Sequence, residues 1–100
     1  MANSQTGAGV ATLNLPRKLD RTAAFALARD LSARTGVDLD LDARQTLVLG
    51  TLAVQVILSA AQTWRRTGHA FRLTGLGPEG RAQIELLGLG PAALGEETAP

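Results

Sequence analysis

The segment Val37-Asp38-Leu39-Asp40-Leu41-Asp42 alternates apolar and acidic residues without a break. Successive side chains of an extended strand point to opposite faces, so the three aliphatic groups share one side and the three carboxylates the other. A helix would scatter both sets around its axis, because its side chains advance about 100° per residue. The chain must therefore build a sheet with one covered face and one polar face. The remaining elements have to cover the side that carries Leu39 and Leu41.

Those elements follow in a regular order. Val10 to Leu15 is a strand candidate closed by Pro16, which cannot donate to a ladder. Asp20 stands before Arg21-Thr22-Ala23-Ala24 as an N-cap carboxylate would, and predicts a helix to about Thr35 that stops at Gly36. Ala24, Leu27, Ala28 and Leu31 form its apolar face. After the alternating strand, Thr46 to Leu49 is a short extended stretch leading into Gly50.

The longest helix is expected from Thr51 to Arg66. Ala53, Val54, Ile57, Ala60, Ala61 and Trp64 share its inward face, which should bury Ile57 and Trp64 against Leu39, Leu41 and Leu73. Thr51, Gln55, Ser59, Gln62 and Arg66 make a narrow polar stripe opposite, bordered by Leu52 and Val56 on one side and Leu58 on the other. Gly68 ends this helix, Phe71 to Leu73 is a further strand, and Pro78 opens a last helix to about Leu87. Residues 1–9 are small and polar and are expected to be a mobile segment; residues 91–100 are expected to be a frayed C-terminal tail.

Strands alternating with helices predict a single α/β domain over residues 10–90. Its sheet is expected to be small and mostly parallel, with right-handed crossovers and helices mainly on one face. Ten Lys and Arg against nine Asp and Glu leave no basic field for nucleic acid, and 3% aromatic residues leave little with which to stack bases. The chain has no cysteine and one histidine, so neither thiolate chemistry nor a multi-histidine metal site can be assembled. The N-terminal residues lack a basic start and an apolar core, and nowhere do about 18 apolar residues run together. A cytoplasmic protein without membrane insertion is the expectation.

Four features have bland readings. Gly75-Leu76-Gly77-Pro78-Glu79-Gly80 matches the spacing of a dinucleotide fingerprint and is the basis of an alternative reading as a small nucleotide-binding domain or enzyme. Glu79, however, would put a carboxylate where a pyrophosphate needs positive potential. Asp38, Asp40 and Asp42 have the spacing that opens a calcium loop, but Ala43 and Leu49 replace the glycine and the bidentate glutamate. Ser59 has Gln55, Val56, Gln62 and Thr63 at helical reach, none of them a base, and His69 sits alone in a turn. No catalytic residue, metal ligand or cofactor is expected.

The stretch Leu39-Asp40-Leu41-Asp42-Ala43, a short link, then Gly50-Thr51-Leu52-Ala53 opening the helix through Ala61, resembles the STAS domain of bacterial anti-sigma-factor antagonists. Leu13-Asn14-Leu15-Pro16, Leu19-Asp20, Gly68, Phe71-Arg72-Leu73 and Leu86-Leu87-Gly88-Leu89 fall where that family has similar elements. The resemblance implies a phosphoacceptor turn at Gly50, Thr51, Leu52 and Ala53. Leu52 stands where the family has its acceptor serine, so the usual serine-kinase switch is expected to be absent, and the Thr51 hydroxyl is expected to cap the helix amides. The segment from Gln55 to Trp64 is similar to small stand-alone STAS proteins of bacterial chemotaxis gene clusters. It also resembles the cytoplasmic STAS subunit of phospholipid-trafficking ABC transporters.

The resemblance thus implies a non-catalytic signalling module. Its partner would be a signalling kinase, an anti-sigma factor or a chemotaxis component, with an ABC ATPase as the alternative and a homodimer through the same helix face also open. The expected partner-binding residues are Thr51, Leu52, Gln55, Val56, Ser59 and Gln62.

Overall fold

The computed structural model describes residues 10–96. Expectations for residues 1–9 and 97–100 lie outside the described residues. The elements are β1 (Val10–Asn14), β2 (Lys18–Leu19), α1 (Arg21–Ser32), β3 (Asp38–Asp42), β4 (Val48–Leu49), α2 (Thr51–Arg66), β5 (Phe71–Thr74), α3 (Pro78–Leu86) and a 3-10 turn at Pro91–Leu94. The result is a small α/β domain in which every described strand pairing is parallel.

The main sheet has the order β1-β3-β5. Its register aligns Ala11 with Leu39 and Leu39 with Phe71, and Leu13 with Leu41 and Leu41 with Leu73. One face therefore carries only apolar groups, and Leu39, Leu41 and Leu73 are buried there. The opposite face holds Thr12, Asp40 and Arg72 across one row and Asn14, Asp42 and Thr74 across the next. The alternation from Val37 to Asp42 is thus realised as a two-sided sheet, with its three carboxylates only half buried.

Helix α2 places Ala53, Val54, Ile57, Ala60, Ala61 and Trp64 in the interior, the face expected from its periodicity. The Trp64 indole N–H donates to the carbonyl oxygen of Val37 at 2.7 Å, and its ring lies 5.5 Å from that of Phe71. Helix α1 buries Ala24, Leu27 and Leu31, with the Asp20 carboxylate accepting from the Ala23 N–H at 3.0 Å. It ends at Ser32 rather than Thr35, because the Arg34 N–H bonds back to Leu31 and tightens the last turn.

Two features differ from the sequence expectation. A second, two-stranded parallel ladder pairs β2 with β4. Residues 91–96, expected to fray, are packed. Leu94 is fully buried, the Leu73 N–H donates to the Gly95 carbonyl at 2.9 Å, and Glu96 bridges to Leu73 along the outer edge of β5. The Glu96 carboxylate is buried and takes both terminal nitrogens of Arg81, at 2.6 and 2.7 Å. Proline and glycine in this stretch shape a tight turn that seats Leu94, and Gly95 adopts φ +92 where the chain passes the Phe71 carbonyl.

Candidate interaction surface

The ladder of β2 and β4 sets the geometry of both long helices. Each two-residue strand runs straight into a helix, so the parallel pairing of Leu19 with Leu49 places the two helix starts side by side. Pro16 interrupts the route from β1 to β2, and side chains bridge the break. The Gln45 amide donates to the Leu15 carbonyl at 2.9 Å and the Thr46 hydroxyl to the Pro16 carbonyl at 2.8 Å. Gly50 is the N-cap of α2, with its N–H donating to the Leu19 carbonyl at 3.0 Å. A Cβ at Gly50 would lie 2.9 Å from that same oxygen, so the close approach of two backbones requires glycine here.

This arrangement corrects the role expected for Thr51. Gly50, not Thr51, is the cap, and no side chain caps the helix. Thr51 is the first helical residue, exposed, with no hydrogen bond from its hydroxyl to any described residue. Leu52 beside it is half buried and packs against the core, and Ala53 is wholly inside. The Gly50–Ala53 turn therefore offers one exposed group, the Thr51 hydroxyl, over an apolar base.

Along α2, Gln55, Ser59 and Gln62 are exposed and Val56 and Leu58 are half buried. The stripe bears no charge until Arg65 and Arg66. Val56 and Ser59 also line a groove of about 250 Å³ between the helices, opposite Ala28 and Ser32 of α1 and Thr35 just beyond its end, with Leu31, Ala60 and Trp64 among its floor residues. None of its lining side chains is an acid or a base. The spacing places Ala28 and Leu31 on the apolar face of α1, but Ser32 and Thr35, which extend that side into a wall, carried no such signal. Sequence reasoning also missed Leu47 and Val48, which are 60% and 47% exposed just before Gly50. Two adjacent aliphatic residues in a short extended stretch were the available signal.

The other motifs are engaged elsewhere. Asp38 accepts from the Ala70 N–H at 2.9 Å and lies 3.6 Å from His69 Nδ1. Asp40 meets the Arg72 guanidinium at 2.8 Å. Asp42 receives Arg44 Nη2 at 2.8 Å and the Arg44 backbone N–H at 2.9 Å. Hydrogen bonding from the Arg44 side chain, then from its backbone, holds the Asp42 carboxyl below the usual carboxylate range. In the Gly75–Gly80 loop, Arg44 lies over Gly75 and Leu76 fills the space beside Gly80, while Gly77 caps α3 and Pro78 opens it. Among the described residues, no helix is long and apolar enough to cross a membrane.

No protein-family model matches the chain, and no curated protein matches its sequence.

Proposed function

We propose that this chain is a STAS-like, non-catalytic protein–protein interaction module, which acts by occupying a partner through the start and outer stripe of α2. The observation that carries the reading is the exposure of Leu47 and Val48 shortly before Gly50 together with that of the uncharged stripe Thr51, Gln55, Ser59 and Gln62. An apolar step beside short neutral polar groups is desolvated without stripping water from an ion. A helix that needed only solubility would carry long charged residues there. The opening of α2 at Thr51, where the resemblance expects its functional turn, supports the same reading.

In family terms the partner is a signalling kinase, an anti-sigma factor or a chemotaxis component of a bacterial cytoplasm. With Leu52 half buried and chemically inert to phosphorylation, binding is governed by concentration and affinity rather than by a serine switch. The test is the double variant Gln55→Glu/Ser59→Lys. Both positions are exposed, so each change should alter stability by about 0.5 kcal/mol or less. The two new charges lie one helical turn apart and can pair with each other, but both must lose their water at the interface, which should weaken capture of the native partner by about 2 kcal/mol or more. Undiminished capture by the folded variant moves the interface elsewhere. Co-purification of the unaltered chain with a membrane ABC ATPase would select the transporter-subunit alternative.

A further inference from the structure

The two edges of the main sheet are treated differently. The outer edge of β5 is covered by residues 95 and 96, held by the Leu73–Gly95 hydrogen bond and the ion pair of Arg81 with Glu96. The outer edge of β1 has no partner among the described residues. Unpaired strand edges invite another strand, and proteins that stay monomeric guard them with charge, proline or a bulge. Val10-Ala11-Thr12-Leu13-Asn14 has none of these within its length.

The pairing parity fixes which groups are on offer. The Leu15 N–H donates to the Asp42 carbonyl at 2.8 Å, and the parallel register continues back along the strand. Ala11 and Leu13 therefore turn their main-chain groups toward β3, and Val10, Thr12 and Asn14 turn theirs outward. We propose that β1 pairs antiparallel with β1 of a second copy of this chain, with Thr12 on the two-fold axis, so that the two three-stranded sheets join into one.

The occupant is a second copy because the edge complements itself under that symmetry. Thr12 faces its own image, Val10 faces the partner's Asn14, and Ala11 faces the partner's Leu13. All outward donors and acceptors of the five residues are then used, giving about six inter-chain main-chain hydrogen bonds. The small Ala11 lies opposite the larger leucine on the helix-covered side. No charge on either strand meets a like charge across the axis. This surface is distinct from the α2 stripe, so the inference stands independently of the proposed function.

The absence of cysteine makes the test clean. A hydrogen-bonded antiparallel pair sets facing Cα atoms about 5.5 Å apart, within the range that a disulfide spans. Thr12→Cys should therefore form a covalent dimer under mild oxidation at low micromolar concentration. Leu86→Cys, at an 81% exposed site on α3, should not exceed random collision under the same conditions. Thr12→Lys puts two ammonium groups on the axis and should shift the self-association midpoint, measured by analytical ultracentrifugation, at least tenfold toward monomer. Its circular dichroism should be unchanged, because lysine is a native edge residue. A monomeric parent chain at high micromolar concentration overturns the proposal, as does a dimer unaffected by Thr12→Lys or a Thr12→Cys crosslink no faster than that of Leu86→Cys.

Discussion

Trp64 and Val37 are joined by an indole N–H···O=C hydrogen bond of 2.7 Å that ties the last turn of α2 to the residue leading into β3. The residue is 3% exposed, so it supplies both buried area and, through its indole N–H, a partner for that carbonyl. Trp64→Ala should cost about 3–5 kcal/mol of unfolding free energy, a large part of a small domain's stability. Trp64→Phe keeps most of the area but loses the donor, and should cost about 1–2 kcal/mol. Urea denaturation of both variants checks the order; equal losses would mean that the hydrogen bond, which both variants lack, carries the whole effect and the buried area none of it.

Gly50 sets two effects of opposite sign against each other. Serine is a better N-cap than glycine by only a few tenths of a kcal/mol. Its Cβ, however, would press on the Leu19 carbonyl at 2.9 Å, and relieving such an overlap costs about 1–3 kcal/mol. Steric conflict wins, so Gly50→Ser and Gly50→Ala should both destabilise the fold. A stabilised Gly50→Ser in thermal unfolding would refute the close approach.

Acid should act on the Asp42–Arg44 pair. Asp42 has its pKa lowered in the folded chain, chiefly by hydrogen bonds from the Arg44 side chain. The unfolded chain therefore binds more protons on acidification. The contribution is complete above about pH 4 and is lost as pH falls through the folded-state value. Asp42→Asn should be less stable than the parent near pH 7, and that gap should narrow below about pH 3. Chemical denaturation across this range reads it directly; a constant gap would contradict the linkage.

The C-terminal turn is a structural element, and truncation should show it. Leu94→Ala should cost about 2–4 kcal/mol, as expected for a fully buried leucine. Arg81→Met leaves the buried Glu96 carboxylate without its partner and should be more damaging than Arg81→Met/Glu96→Gln, in which no charge is stranded. A double variant less stable than the single one would mean that the Glu96 carboxylate is not stranded when Arg81 is removed.

Regular periodicity made the sheet core and α2 legible from residues alone. The Val37–Asp42 alternation specified which face of β3 is buried, and the spacing from Ala53 to Trp64 specified which face of α2 meets it. The ladder of β2 and β4 was not legible, because two residues cannot display a period and their pairing depends on contacts 30 positions apart, such as Gln45 to Leu15. Residues 91–96 misled for a different reason. Proline and glycine are common in tails, and the residues that anchor this segment, Leu94 and Glu96, carry no periodic pattern of their own. For the interaction surface, the α2 stripe could be read from spacing, whereas its α1 wall arises only when the helix starts are brought together.

The parallel union of β2 and β4 has an electrostatic consequence. Two helices that begin side by side bring their positive macrodipole ends together. Arg17 and Lys18, both exposed, and Arg21 add full positive charges there, partly offset by the carboxylate of Asp20. A chain with a formal net charge of only +1 thus concentrates a positive field at one pole. An acidic partner would be drawn to the helix starts before any contact forms, at a rate that falls as salt screens distances beyond about 8–10 Å.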